Sequence, residues 1–179
     1  MTEKLCYVQA REQLGLNAST EQQQMTGRAG EEVAFQYLVK KHGVKNVKWV
    51  NEDGETGAAF DMIVKTESGQ QEFVEVKTTR SRDKDWFEIS AREWEFAQVH
   101  GDLYTLLRVI LPNSEKRLQI IRFSNPVKLC RERIIQLAVI LPFSGTLGMS
   151  VSDLQIGGTG SPQGIQVSTY KVTLPDNDK

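Results

Sequence analysis

The stretch AFDMIVKTESGQQEFVEVKT, residues 59–78, decides how the rest of the chain is read. Apolar and polar side chains alternate over residues 59–66 and again over 71–78, on either side of Glu67-Ser68-Gly69. That pattern predicts a β-hairpin, with Gly69 free to take the left-handed conformation that a three-residue loop asks for. Such a loop pairs Thr66 with Gln70. Carried along the strands, the same register sets Asp61 across from Glu75, unless a bulge shifts the pairing. Lys77 lies two residues past Glu75 and shares its face, whereas Val74 and Val76 point the other way, into the core. One hairpin therefore delivers two carboxylates and an ammonium to one place.

Working outward, residues 27–41 read as a helix stopped at His42-Gly43, after a helical stretch over 3–14 and a polar linker over 17–24. Residues 47–50 form a short strand, and 51–57 a turn rich in Asp and Gly. Residues 86–89 read as a strand. Ser90 then caps a helix to His100, with Glu93 as capping-box partner, a structural task that accounts for both residues. Residues 103–110 and 117–123 read as strands turned around Pro112-Asn113, residues 126–141 as an apolar segment that is helical first, 144–164 as a Gly/Ser-rich loop, and 167–174 as a late strand. The order predicts an α/β (α+β) fold, a mixed β-sheet flanked by helices. It divides into residues 1–25 (helix and linker), a main domain over 26–143, and a segment over 144–179 packed on the same domain.

A chain of 179 residues with 39% hydrophobic and 25% charged side chains fits one globular domain. Cys6 and Cys130 stand far apart, outside any metal-ligand spacing, and read as reduced thiols of an intracellular, cytoplasmic or nuclear, protein. No stretch approaches the roughly 20 apolar residues of a membrane span. The formal net charge is −1, so any contact with a polyanion must come from a local patch. The nearest candidate is Arg80, Arg82, Lys84 and Arg92, although Asp83, Asp85 and Glu88 are interspersed and an ordinary solvated loop has the same composition. Trp86, Phe87 and Trp94 read as packing residues. The Gly157-Gly158-Thr159-Gly160 run lacks the context of a phosphate loop.

Two carboxylates held together repel each other, and a divalent cation relieves the conflict. Mg²⁺ takes one or two carboxylates and completes its shell with water and phosphate oxygens. A solvated cluster of ion pairs on a strand face is the competing description of Asp61, Glu75 and Lys77. The helix over 27–41 adds Glu31, which falls inside the apolar arc of Val33, Ala34, Phe35, Tyr37, Leu38 and Val39, whereas Glu32 falls outside it. Glu31 is either an acid favoured by the helix dipole or one that reaches the same cleft.

Four stretches, TGRAGEEVAFQYL (26–38), VKWVNEDGETGAAFD (47–61), FVEVKTTRS (73–81) and KDWFEISAREWEFA (84–97), resemble the NO VEIN C-terminal domain family. That group is placed in the PD-(D/E)XK, restriction-endonuclease-like nuclease superfamily, and the resemblance extends over about residues 26–109. It implies a central mixed sheet with a helix on each face and a nuclease dependent on Mg²⁺ or Mn²⁺. Asp61 and Glu75 would ligate the metal with the Val76 carbonyl as third ligand, Lys77 would serve the attacking water, and Glu31 would orient water or a second ion. Phe60 stands where the superfamily's name has a proline. The implied partner is nucleic acid, DNA before RNA, for a homodimer or a module of a larger protein. The alternatives are a nuclease-fold domain that binds nucleic acid or protein without cutting, favoured by the near-neutral charge, and a structural α/β interaction domain.

Overall fold

The hairpin forms in the register that the loop dictates. In the computed structural model, which describes residues 20–111, 117–140 and 169–174, Met62 pairs with Val74, Val64 with Glu72 and Lys65 with Gln71. The turn is closed by Thr66 N–H donating to the Gln70 carbonyl at 2.9 Å, with Gly69 at φ 81°.

Around this ribbon the chain builds α1 (Thr20–His42), β1 (Val47–Trp49), β2 (Met62–Lys65), β3 (Gln71–Thr79), β4 (Trp86–Ser90) and α2 (Ala91–His100). It continues with β5 (Tyr104–Ile110), β6 (Gln119–Ser124), α3 (Pro126–Arg131), β7 (Gln136–Ile140) and β8 (Thr169–Thr173). A five-stranded mixed sheet has the order β1-β2-β3-β5-β6. Its β3–β5 pair is parallel and its other pairs are antiparallel. The β3–β5 crossover carries α2, as a parallel pair requires. A second, antiparallel sheet has the order β4-β8-β7.

Alternation along β3 divides the core. Val74 and Val76 pack with Ala34 and Leu38 of α1 and with Met62, Leu107 and Val109. Phe73 packs on the opposite face with Phe60 and Phe96, in the layer formed by α2, Tyr104, Leu106 and the second sheet. Glu75 and Lys77 share the Phe73 face by the same alternation. Helix α1 lies so close to β3 that a Cβ added at Gly30 would sit 1.9 Å from Thr78 Oγ1. Glycine is what permits this approach.

Several expectations shift. The linker expected over 17–24 is helical from Thr20 onward, because a Gln-rich run has good helix propensity and no breaker before Gly27. The segment 126–141 is a six-residue helix followed by a strand; Arg133 at φ 60° ends the helical course between them. The strands expected over 59–66 and 117–123 begin later, at Met62 and Gln119. Two sheets stand where one was expected, since β8 inserts between β4 and β7. The helix expected over 3–14, Cys6, the Pro112-Asn113 turn and the 144–164 loop lie outside the described residues. Among the described residues no helix is long and apolar enough to cross a membrane.

Candidate functional site

The β2 ladder stops at Met62, and Asp61 occupies the break. Its N–H donates to the Val74 carbonyl at 2.9 Å, the residue already paired with Met62, and its own carbonyl accepts from Val50 N–H at 2.7 Å. Two residues facing one partner are a β-bulge. Asp61 is therefore not the simple ladder partner of Glu75. Its Oδ2 instead accepts the Val76 N–H at 2.7 Å, the backbone donor that a continued β2 would have satisfied. The carboxylate thus stands at the edge of β3, where the two faces of the sheet meet.

Asn51 holds it there. Asn51 Nδ2 donates to Asp61 Oδ1 at 2.9 Å. Its own Oδ1 accepts from Thr56 N–H at 3.1 Å and from the Thr56 hydroxyl at 2.8 Å. Asn51 is 4% exposed and Asp61 8%, so each polar group needs these partners. Read as a turn residue in the sequence, Asn51 is what ties the 51–57 loop to the acid.

On the Phe73 face, Lys77 Nζ lies 2.7 Å from Glu75 Oε1 and 2.8 Å from Glu93 Oε2. Glu93 also completes the capping box of α2: Ser90 N–H donates to the same Oε2 at 2.8 Å, and Ser90 Oγ accepts from Glu93 N–H. The capping expectation for Ser90 and Glu93 holds, and Glu93 in addition pairs with Lys77. Tyr104, buried beneath the cluster, donates its hydroxyl to the Ala59 carbonyl at 3.1 Å.

Glu31 approaches from the α1 side, away from the Glu75 face, and joins the others through Asp61. Trp49 Nε1 donates to Glu31 Oε2 at 3.0 Å, and Arg28 lies 3.8 Å away. Arg28 in turn donates to the Asn51 carbonyl at 2.5 Å and to the Glu52 carbonyl, and stacks 4.0 Å from the Trp49 ring. A cleft of about 550 Å³ opens here, bounded by Gln24, Arg28, Glu31, Asn51, Asp53 and Glu55.

The electrostatics follow from crowding acids in a dry place. Burial, reinforced by the charge of Asp61, pushes Glu31 from the usual 4.5 to about 7, against the Trp49 hydrogen bond. Burial also raises Asp61, although Val76 N–H, Lys77 and Asn51 pull it down. Glu75 is raised well above the carboxylate range by burial, with Asp61 and Glu93 adding to the effect and Lys77 opposing it. Burial would raise Glu93 too, but Lys77 and the Ser90 N–H bring it below its usual value. Burial disfavours the Lys77 ammonium, and Glu75 and Glu93 more than compensate, so it stays charged.

Asp61, Glu75 and Lys77 are thus brought together, with Glu31 at their margin. Of the basic patch, Arg80 Nε donates to Thr26 Oγ1 at 3.2 Å, Arg82 donates to the Arg117 carbonyl, and Lys84 lies 3.8 Å over the Trp86 ring. Arg92 is exposed, near Gly57. Sequence reasoning also missed Arg108, buried in β5 beside Lys77, whose guanidinium holds the carbonyls of Lys84 and Trp86. An arginine within an apolar strand run was the available signal. Among the described residues, no three His, Cys, Asp or Glu side chains are grouped so as to enclose a metal by themselves. The donors Asp61 and Glu75 do suit a cation that takes two carboxylates and finishes its shell with water.

The chain is similar to Protein NO VEIN of Arabidopsis thaliana, 46% identical over 122 residues, covering 68% of this chain and 4% of that protein. It is also similar to Protein NO VEIN-LIKE of the same plant, 44% identical over 122 residues, 68% of this chain and 18% of that protein. The chain therefore spans only a small part of these relatives. No solved structure matches it. The family model described as "Protein NO VEIN, C-terminal" matches residues 30–121, a stretch that carries Glu31, Asn51, Asp61, Glu75, Lys77 and Glu93, and the chain belongs to that family.

Proposed function

We propose that this domain is a divalent-metal-dependent phosphodiesterase of the PD-(D/E)XK type, acting on nucleic acid as one module of a larger assembly. One observation carries the reading. Two buried or half-buried acids, Glu75 and Glu93, share the ammonium of Lys77, and Asp61 adds its charge to theirs, with Glu31 subject to the charge of Asp61 from the α1 side. Three of the four carboxyls are raised on balance, burial being the largest cause, which is the condition that a further cation relieves.

Asp61 and Glu75 would hold Mg²⁺ or Mn²⁺. The Val76 carbonyl would join them, because strand geometry points it to the same side as the Val76 N–H that meets Asp61. The ion, when bound, supplies Lewis acidity toward a phosphodiester and acidifies an attacking water. Lys77, held by Glu93, offers a fixed positive charge to the oxygen that becomes more negative during attack. Asn51 and the Val76 N–H orient Asp61. Glu31, half-ionised near neutral pH, can accept a proton at its carboxylate on the cleft side.

A second reading, a nuclease-fold domain that binds without cutting, is favoured by the double pairing of Lys77, which satisfies its charge within the protein. A cleavage assay on mixed single- and double-stranded DNA and RNA, with Mn²⁺ or EDTA, separates the two. The expected result is metal-dependent cleavage that Lys77→Ala lowers by about 100-fold or more while Mn²⁺ binding persists. Equal turnover in both proteins would exclude the catalytic role of Lys77. Metal binding with no turnover on any substrate would favour the silent domain.

A further inference from the structure

We infer that Glu93 is a positioning residue: it takes over the Lys77 ammonium when Glu75 turns to a metal ion. The inference rests on the metal-dependent reading above. Three observations lead to it. Lys77 Nζ is shared almost equally, 2.7 Å from Glu75 and 2.8 Å from Glu93. The three side chains are 18%, 8% and 19% exposed respectively, so an ammonium left without a carboxylate here would be strongly unfavourable. The two acids also differ in how they are fixed. The Glu93 Oε2 that meets Lys77 is pinned by Ser90 N–H at 2.8 Å, at the first turn of α2. Among the described residues no backbone N–H donates to the Glu75 carboxylate.

Charge balance points the same way. With Asp61, Glu75 and Glu93 ionised, Lys77 leaves the cluster two charges negative, and one divalent cation makes it neutral. Lys77 bridges both glutamates and supplies one of the positive charges that the three carboxylates call for. Were Glu75 to serve with Asp61 as a ligand, Lys77 would stay on Glu93, which Ser90 N–H holds in place. Glu93 acts through Lys77 and is not a metal ligand. The Glu93 carboxylate is thus fixed by a backbone donor, Ser90 N–H, that a side-chain substitution at Ser90 leaves in place.

A double-mutant cycle tests this with Mn²⁺ binding by calorimetry, alongside thermal unfolding of each protein. Glu93→Gln keeps the shape and the cap acceptor but loses the charge. It is expected to weaken Mn²⁺ about tenfold in the wild-type background, the scale of losing a residue that positions a metal site. In a Lys77→Met background, with no ammonium left to hold, the same change should move affinity by less than about threefold. Ser90→Ala should lower the melting temperature, through loss of the cap, and leave Mn²⁺ affinity unchanged. An equal loss from Glu93→Gln in both backgrounds, or no loss in either, would overturn the inference. So would a loss from Ser90→Ala as large as that from Glu93→Gln. If the wild-type protein binds no Mn²⁺, the metal-dependent reading falls and takes this one with it. Wild-type binding with an additive cycle removes the Glu93 role alone.

Discussion

Glu31 carries a proton at a pH where an exposed glutamate has lost it. Its folded value of about 7 lies above the usual 4.5, so between those values the folded chain binds a proton that the unfolded chain releases. The associated stability is fully present below about pH 4.5 and is lost as pH rises to about 7. In EDTA, urea unfolding should show the wild type losing stability between pH 5 and 8. Glu31→Gln should remove about 2 kcal/mol of that loss; an equal loss in both proteins would mean that Glu31 is solvated. At this scale the sequence was partly legible. Periodicity separated half-buried Glu31 from exposed Glu32, and alternation put Glu75 and Lys77 on one face. Asn51 and Glu93 escaped because each has a local task, in a turn and in a cap, that explains its residue type without the cluster. Only the fold shows the second task.

At the scale of elements, the break between β2 and β3 and the contact of α1 on β3 set where the acids meet. The hairpin register could be read in advance, since loop length fixes pairing locally and one buried face penalises a slip. The bulge at Asp61 could not, because it depends on Val50 and Asn51 arriving from β1 and the following loop. The seat of α1 is set by Gly30. Gly30→Ala places a methyl group against Thr78 Oγ1, Cγ2 and Cβ. Forcing the helix away should cost about 2 kcal/mol in urea unfolding and blunt the pH response assigned to Glu31. Full wild-type stability in that variant would show the contact to be soft.

For the whole molecule, local patterns predicted a mixed sheet with helices on its faces, and α1 and α2 occupy them. The three-stranded β4-β8-β7 sheet was out of reach: β8 lies about 80 residues from β4 in the chain, and no local pattern encodes that pairing. Charge belongs to this scale as well. With a net charge of −1, binding to nucleic acid must draw on a local patch. Replacing Arg80 and Arg82 together by alanine should weaken DNA binding and flatten the dependence of log K on log salt by up to about 2. An unchanged slope would place the phosphate contacts elsewhere.

The most direct measurement is calorimetric titration of Mn²⁺ into the wild-type protein and into Asp61→Ala, with thermal unfolding to confirm that the variant folds. Saturable binding that disappears in a folded Asp61→Ala protein is the predicted result. Binding of equal strength in both proteins would contradict a metal centre built on the acid at the end of the hairpin.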